Sequence, residues 1–141
     1  MVTRSKECFD SAAKRHWGNA EVMDKATRIA AADHHFGIAA ECAIKYAIAQ
    51  TNPGSVPKKH LNVLWGSATQ LLDPGAFSEL CATLKGDNPF DMQIWLIDDR
   101  YAETGALEAD IKTVDNGQTT SRYDRRRQAT LGILLHAGLL P

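Results

Sequence analysis

Apolar residues along the first part of the chain return at steps of three and four. Phe9, Ala13, Trp17, Ala20 and Met23 fall on one side of a helix, which predicts an amphipathic helix over roughly Ser5 to Arg28. Gly18 weakens its middle by about 1 kcal/mol relative to alanine. The alanine-rich stretch Ile29 to Ala32 reads as a turn. A second helix follows from about Asp33, a suitable N-cap, to Gln50. Phe36, Ile38, Ala39, Ala40, Ala43, Ile44, Ala47 and Ile48 make it apolar nearly all round, as befits a central helix. Asn52-Pro53-Gly54-Ser55 breaks the chain. Pro57 suits the first position of a third helix carrying Leu61, Leu64, Ala68 and Leu71 and ending at Asp73-Pro74-Gly75.

A short helix is expected over Ala76 to Leu84, then a loop at Gly86-Asp87-Asn88-Pro89. From Phe90 to Tyr101 the pattern suits a strand or a helical turn equally. Ala106 to Val114 is weakly helical and stops at Asp115-Asn116-Gly117. The last helix starts near Thr119 or Thr120 and runs to about Ala137, with Tyr123, Thr130, Ile133, Leu134 and Ala137 inward. The expected fold is all-α: one domain over residues 1–141, an up-down four-helix bundle with extra short helices before the last helix.

Composition narrows the function classes. Apolar residues make up 44% of the 141, enough for a real core. The 16 basic and 17 acidic residues give a net charge of −1, so any nucleic-acid contact must be local. The longest apolar runs fall short of the ~18 residues that span a membrane, and the N-terminus does not lead into a signal-peptide core. Cys8, Cys42 and Cys81 are odd in number and widely spaced, which suits reduced thiols and a cytoplasmic protein. His16, His34, His35, His60 and His136 show no metal-ligand spacing, and no cofactor fingerprint is present. Trp17, Trp65 and Trp95 read as core.

The candidate chemistry lies in three places. On the second helix His34, Glu41 and Lys45 fall within one narrow band, and Glu41 precedes Lys45 by four residues, the favourable order for an ion pair. That band is either a structural seam or part of a ligand site. Arg122, Arg125 and Arg126 share a face of the last helix, either solvated or gripping phosphates of RNA. Arg100 either clamps Asp98, Asp99 or Glu41, or meets a ligand phosphate beside Lys45 and His60.

Several segments, in order, resemble a known family. Trp17-x-x-Ala20 with Ala32-Asp33-His34-His35-Phe36-Gly37-Ile38-Ala39-Ala40-Glu41-Cys42-Ala43-Ile44-Lys45 is similar to the first two helices of HEPN domains (higher eukaryotes and prokaryotes nucleotide-binding). Lys59-His60-Leu61-x-x-Leu64-Trp65 is similar to the start of that family's third helix. Asn88-Pro89-Phe90 followed by Trp95 and Arg100-Tyr101 resembles a segment of its bacterial members. The resemblance implies a bundle that forms a homodimer. It also implies a toxin–antitoxin or phage-defence setting with a nucleotidyltransferase or antitoxin partner, and RNA or nucleotide as ligand through Glu41, Lys45, His60, Arg100 and Tyr101. The family's ribonucleases pair an arginine with a histidine four to six residues on; Arg28 and His34 fit that spacing. The expected function is a non-catalytic module acting with RNA, nucleotide or a partner protein. The alternatives are a metal-independent RNA endonuclease using Arg28 and His34, and a helical interaction bundle with no nucleic-acid role.

Overall fold

The computed structural model describes residues 8–90 and 104–140. Among these the chain is helical, without strands: α1 (Phe9–Lys25), α2 (Ile29–Thr51), α3 (Leu61–Ser67) continued by a 3-10 turn (Ala68–Gln70), α4 (Ser78–Leu84), α5 (Thr104–Ile111) and α6 (Arg122–His136).

The all-round apolar character of α2 puts it at the centre, packed against α1, α3, α5 and α6. Ala39, Ala40, Ala43 and Ala47 are fully buried, and their small side chains let neighbouring helices come close. Around them the rings of Trp17, Phe36 and Tyr123 pack in series, with centroids 5.2 and 6.0 Å apart. The expected inward residues of α6 (Tyr123, Thr130, Ile133, Leu134 and Ala137) are all buried. Trp65 is also core, whereas Trp95 lies outside the described residues. Each large apolar side chain buried this way contributes roughly 1.5–3 kcal/mol.

Helix boundaries moved where a cap was read wrongly. Asp33 does not cap α2, and Ile29 to Ala32 is no turn but the helix's first turn. The break before α2 is tighter than the sequence suggests. Thr27 adopts φ 59°, its N–H donates to the Asp24 carbonyl, and the Arg28 N–H donates back to Met23. That is a Schellman closure, which normally selects glycine. The end of α6 uses the same closure with Gly138 at φ 79° and the Leu139 N–H on Leu134. Pro57 likewise does not open α3, which begins four residues later at Leu61; the stretch between is non-helical. Ser121, not Thr119 or Thr120, caps α6 by accepting from the Asp124 N–H at 3.1 Å. Of the ambiguous 90–101 stretch, only Phe90 falls within the described residues. It is fully buried, and its N–H donates to Asn88 Oδ1 at 2.8 Å.

Candidate functional site

The i, i+4 spacing on α2 produces the expected ion pair: Lys45 Nζ lies 3.3 Å from Glu41 Oε2. The other carboxylate oxygen, Oε1, lies 3.3 Å from His60 Nδ1, just before α3. One carboxylate thus holds a cation from its own helix and an imidazole from the next element. The Glu41 and Lys45 side chains are only 14% and 13% exposed, whereas His60 is 61% exposed. With Glu41 ionised, the Nδ1–H tautomer donates to it, leaving Nε2 as the second functional nitrogen of the ring.

Beside this trio opens a cleft of about 330 Å³, lined by Phe9, Lys45, Val56, Pro57, Lys58, Lys59 and His60. Its geometry follows from the non-helical stretch between α2 and α3. Because α3 starts late, Val56 to His60 are non-helical and line the cleft beside Lys45, with His60 itself in an extended conformation. Three lysines and a histidine face the cleft, and none of the described residues that line it is acidic. Phe9, Val56 and Pro57 add an apolar wall. Such a site attracts anions, and a flat apolar group bearing phosphate matches both halves.

The remaining sequence candidates are dispersed. His34 lies two helical turns before Glu41, about 10 Å along the axis, so it does not join the trio. Its ring instead meets His35 edge-on, with centroids 6.1 Å apart. Arg28 is exposed at the start of α2. Arg100 and Tyr101 lie outside the described residues. The arginine row of α6 turns to carboxylates. Arg122 Nη1 donates to Asp110 at 2.6 Å and Nη2 to Asp115 at 2.9 Å, and Arg125 joins it on Asp115. Hydrogen bonding to Asp115 raises the Arg122 guanidinium's proton affinity, and the same bond holds the Asp115 carboxyl below its usual value.

Arg126 is almost completely buried. Its Nη1 donates to Asp33 Oδ2 and its Nε to the Pro89 carbonyl, both at 2.8 Å, and the guanidinium sits 5.8 Å from the Phe90 ring centre. Burial lowers its proton affinity against the opposing pull of Asp33. The three arginines of the row therefore meet carboxylates that range from buried Asp33 through half-buried Asp115 to exposed Asp110. Among the described residues no group of three or more His, Cys, Asp or Glu can hold a metal ion. No helix among them is long and apolar enough to cross a membrane.

Sequence reading missed the cleft's outer residues, although Pro57-Lys58-Lys59-His60 is a compact basic run beside a proline. Nor did the spacing reveal Arg126 with Asp33, whose one local signal was an acid in the mostly apolar first half of α2. Comparison with family models, with curated proteins and with solved structures found no match to this chain.

Proposed function

We propose that this chain is a HEPN-type helical module that binds RNA or a nucleotide, or a partner protein presenting such a group, without cleaving it. The observation that carries the reading is that Lys45 and His60, both held by Glu41 and all three named from the sequence as ligand-binding, line a cleft together with Lys58 and Lys59. Glu41 orients Lys45 and His60, so two cationic or polar heads are fixed before a ligand arrives, which reduces the ordering cost of binding. Lys58 and Lys59 supply adaptable charge at the rim. The up-down four-helix arrangement, the homodimer, the toxin–antitoxin or phage-defence setting and the cytoplasmic location belong to the same reading. The all-helical architecture around a central α2 is compatible with it.

Fluorescence anisotropy with a labelled single-stranded RNA tests the reading. Binding is expected to weaken with salt, because phosphate contacts release counterions. It is also expected to weaken about tenfold or more in a Lys58→Ala/Lys59→Ala variant. Salt-independent binding, or affinity unchanged by that variant, would remove the cleft from the function. Incubating the same RNA in EDTA checks the endonuclease alternative through Arg28 and His34. Light scattering checks the dimer.

A further inference from the structure

α1 and α2 are joined along their seam by a pair of histidines that the cleft does not use. His16 Nδ1 and His35 Nδ1 are 3.0 Å apart. The ring planes differ by 27° and the centroids stand 5.2 Å apart. Since the nitrogens are much closer than the centroids, the rings meet nitrogen to nitrogen rather than face to face. Such a contact needs a hydrogen on one Nδ1 and a lone pair on the other. It survives when the pair is neutral, and it survives one added proton, because an imidazolium Nδ1–H still donates to a bare nitrogen. It cannot survive two. Both rings then present N–H to each other and both are cationic.

The surroundings sharpen this response. Burial lowers the proton affinity of both rings from the ordinary 6.5, and His16 is lowered further by His35, Arg15 and His34. Among the described residues, the charged or titratable groups acting on the pair are Arg15 on α1 and His34 and His35 on α2, and each opposes a further positive charge. We infer that His16 and His35 form an acid-sensitive latch that fastens α1 to α2 and releases when both rings become protonated. α1 also carries Phe9 to the wall of the cleft, so release of the seam loosens that wall. The latch itself stands on the seam and holds whatever the cleft binds.

The sign follows from linkage. Groups whose folded proton affinity is lowered bind fewer protons folded than unfolded. Their contribution to stability is complete above about pH 6.5 and is lost as pH falls through the folded values.

Side-chain nitrogen NMR on the full chain, with amide exchange of α1, tests the latch between pH 8 and pH 4.5. The latch requires opposite tautomers at neutral pH, one ring Nδ1–H and the other Nε2–H. It requires the second protonation of the pair below 6.5, with α1 exchange, corrected for its intrinsic pH dependence, rising about tenfold in step. His35→Gln is expected to flatten that exchange profile. Should the variant fail to fold, the wild-type tautomers and titration still decide. Two Nε2–H rings at neutral pH, or both rings titrating at 6.5 or above with α1 protection unchanged, would overturn the latch.

Discussion

Two acidic residues on α2, Asp33 and Glu41, are eight residues apart and lead to opposite outcomes. Asp33 meets Arg126 of α6 where both side chains are shut from water, at 7% and 1% exposure. Glu41 meets Lys45 and His60 at the edge of an open cleft, where the histidine is largely exposed. The partners are of the same kind, and the difference is solvent and reach. The Arg126 guanidinium donates to Asp33 and to the Pro89 carbonyl, which ties α2, α6 and the 88–90 loop together. The Glu41 carboxylate spends its two oxygens on heads that still face the cleft. A buried ion pair locks a fold, whereas a half-buried one beside a non-helical connection presents charge to a cleft.

The largest expected effect breaks the first region. Arg126→Ala leaves Asp33 buried without its guanidinium and is expected to cost about 3–5 kcal/mol in urea unfolding. A double Asp33→Leu/Arg126→Met variant should recover most of that loss, since an apolar pair carries no desolvation penalty. A cost below 1 kcal/mol for Arg126→Ala would show that the clamp is not structural. The same measurement on Lys45→Ala should show a much smaller stability change, because its ammonium already borders the cleft. Its expected effect falls on RNA affinity instead, about tenfold, or ~1.4 kcal/mol. A large stability loss with unchanged affinity would invert the comparison.

A third prediction concerns why Asp33 lies inside α2 at all. Thr27 holds a left-handed conformation that costs a β-branched residue roughly 1–2 kcal/mol. Thr27→Gly is therefore expected to raise stability by about 1 kcal/mol, after allowing for the extra freedom glycine gains when unfolded. An unchanged or lowered melting temperature would argue against that closure. The smallest effect is expected at the more solvent-accessible counterpart of the clamp, Asp115 with Arg122 and Arg125. Asp115→Asn should shift stability only slightly, and the shift should shrink with salt. Because Arg122 holds the Asp115 carboxyl below its usual 3.8, the contribution is complete above that pH and is lost as pH falls through the folded value. Acid unfolding curves of wild type and Asp115→Asn should therefore converge at low pH.

The contrast also marks what the sequence could tell. Periodicity identified the inward faces of α1, α2 and α6, because burial of a helix stripe leaves a local signature in one chain segment. The Glu41–Lys45 pair was legible for the same reason, being four residues apart on one helix. Asp33 with Arg126 was not, since 93 residues separate them and each has a plausible local reading, as a cap and as a surface arginine. The start of α2 was hidden because threonine stands where the closure normally calls for glycine. Pro57 misled for a related reason. Proline suits a first helical turn, but it suits a non-helical connection equally, and here that connection builds the cleft wall. The meeting of His16 with His35 depended on how two helices pack, which no local spacing encodes.

The most direct test of the central claim is an amide and side-chain NMR map of the wild-type chain titrated with adenosine monophosphate and, separately, with a short single-stranded RNA. Saturable shifts are expected at Phe9, Lys45, Val56 and the His60 ring, with the Arg126 and Asp33 signals unmoved. Shifts centred on α6, or no saturable shift with either ligand, would contradict that claim.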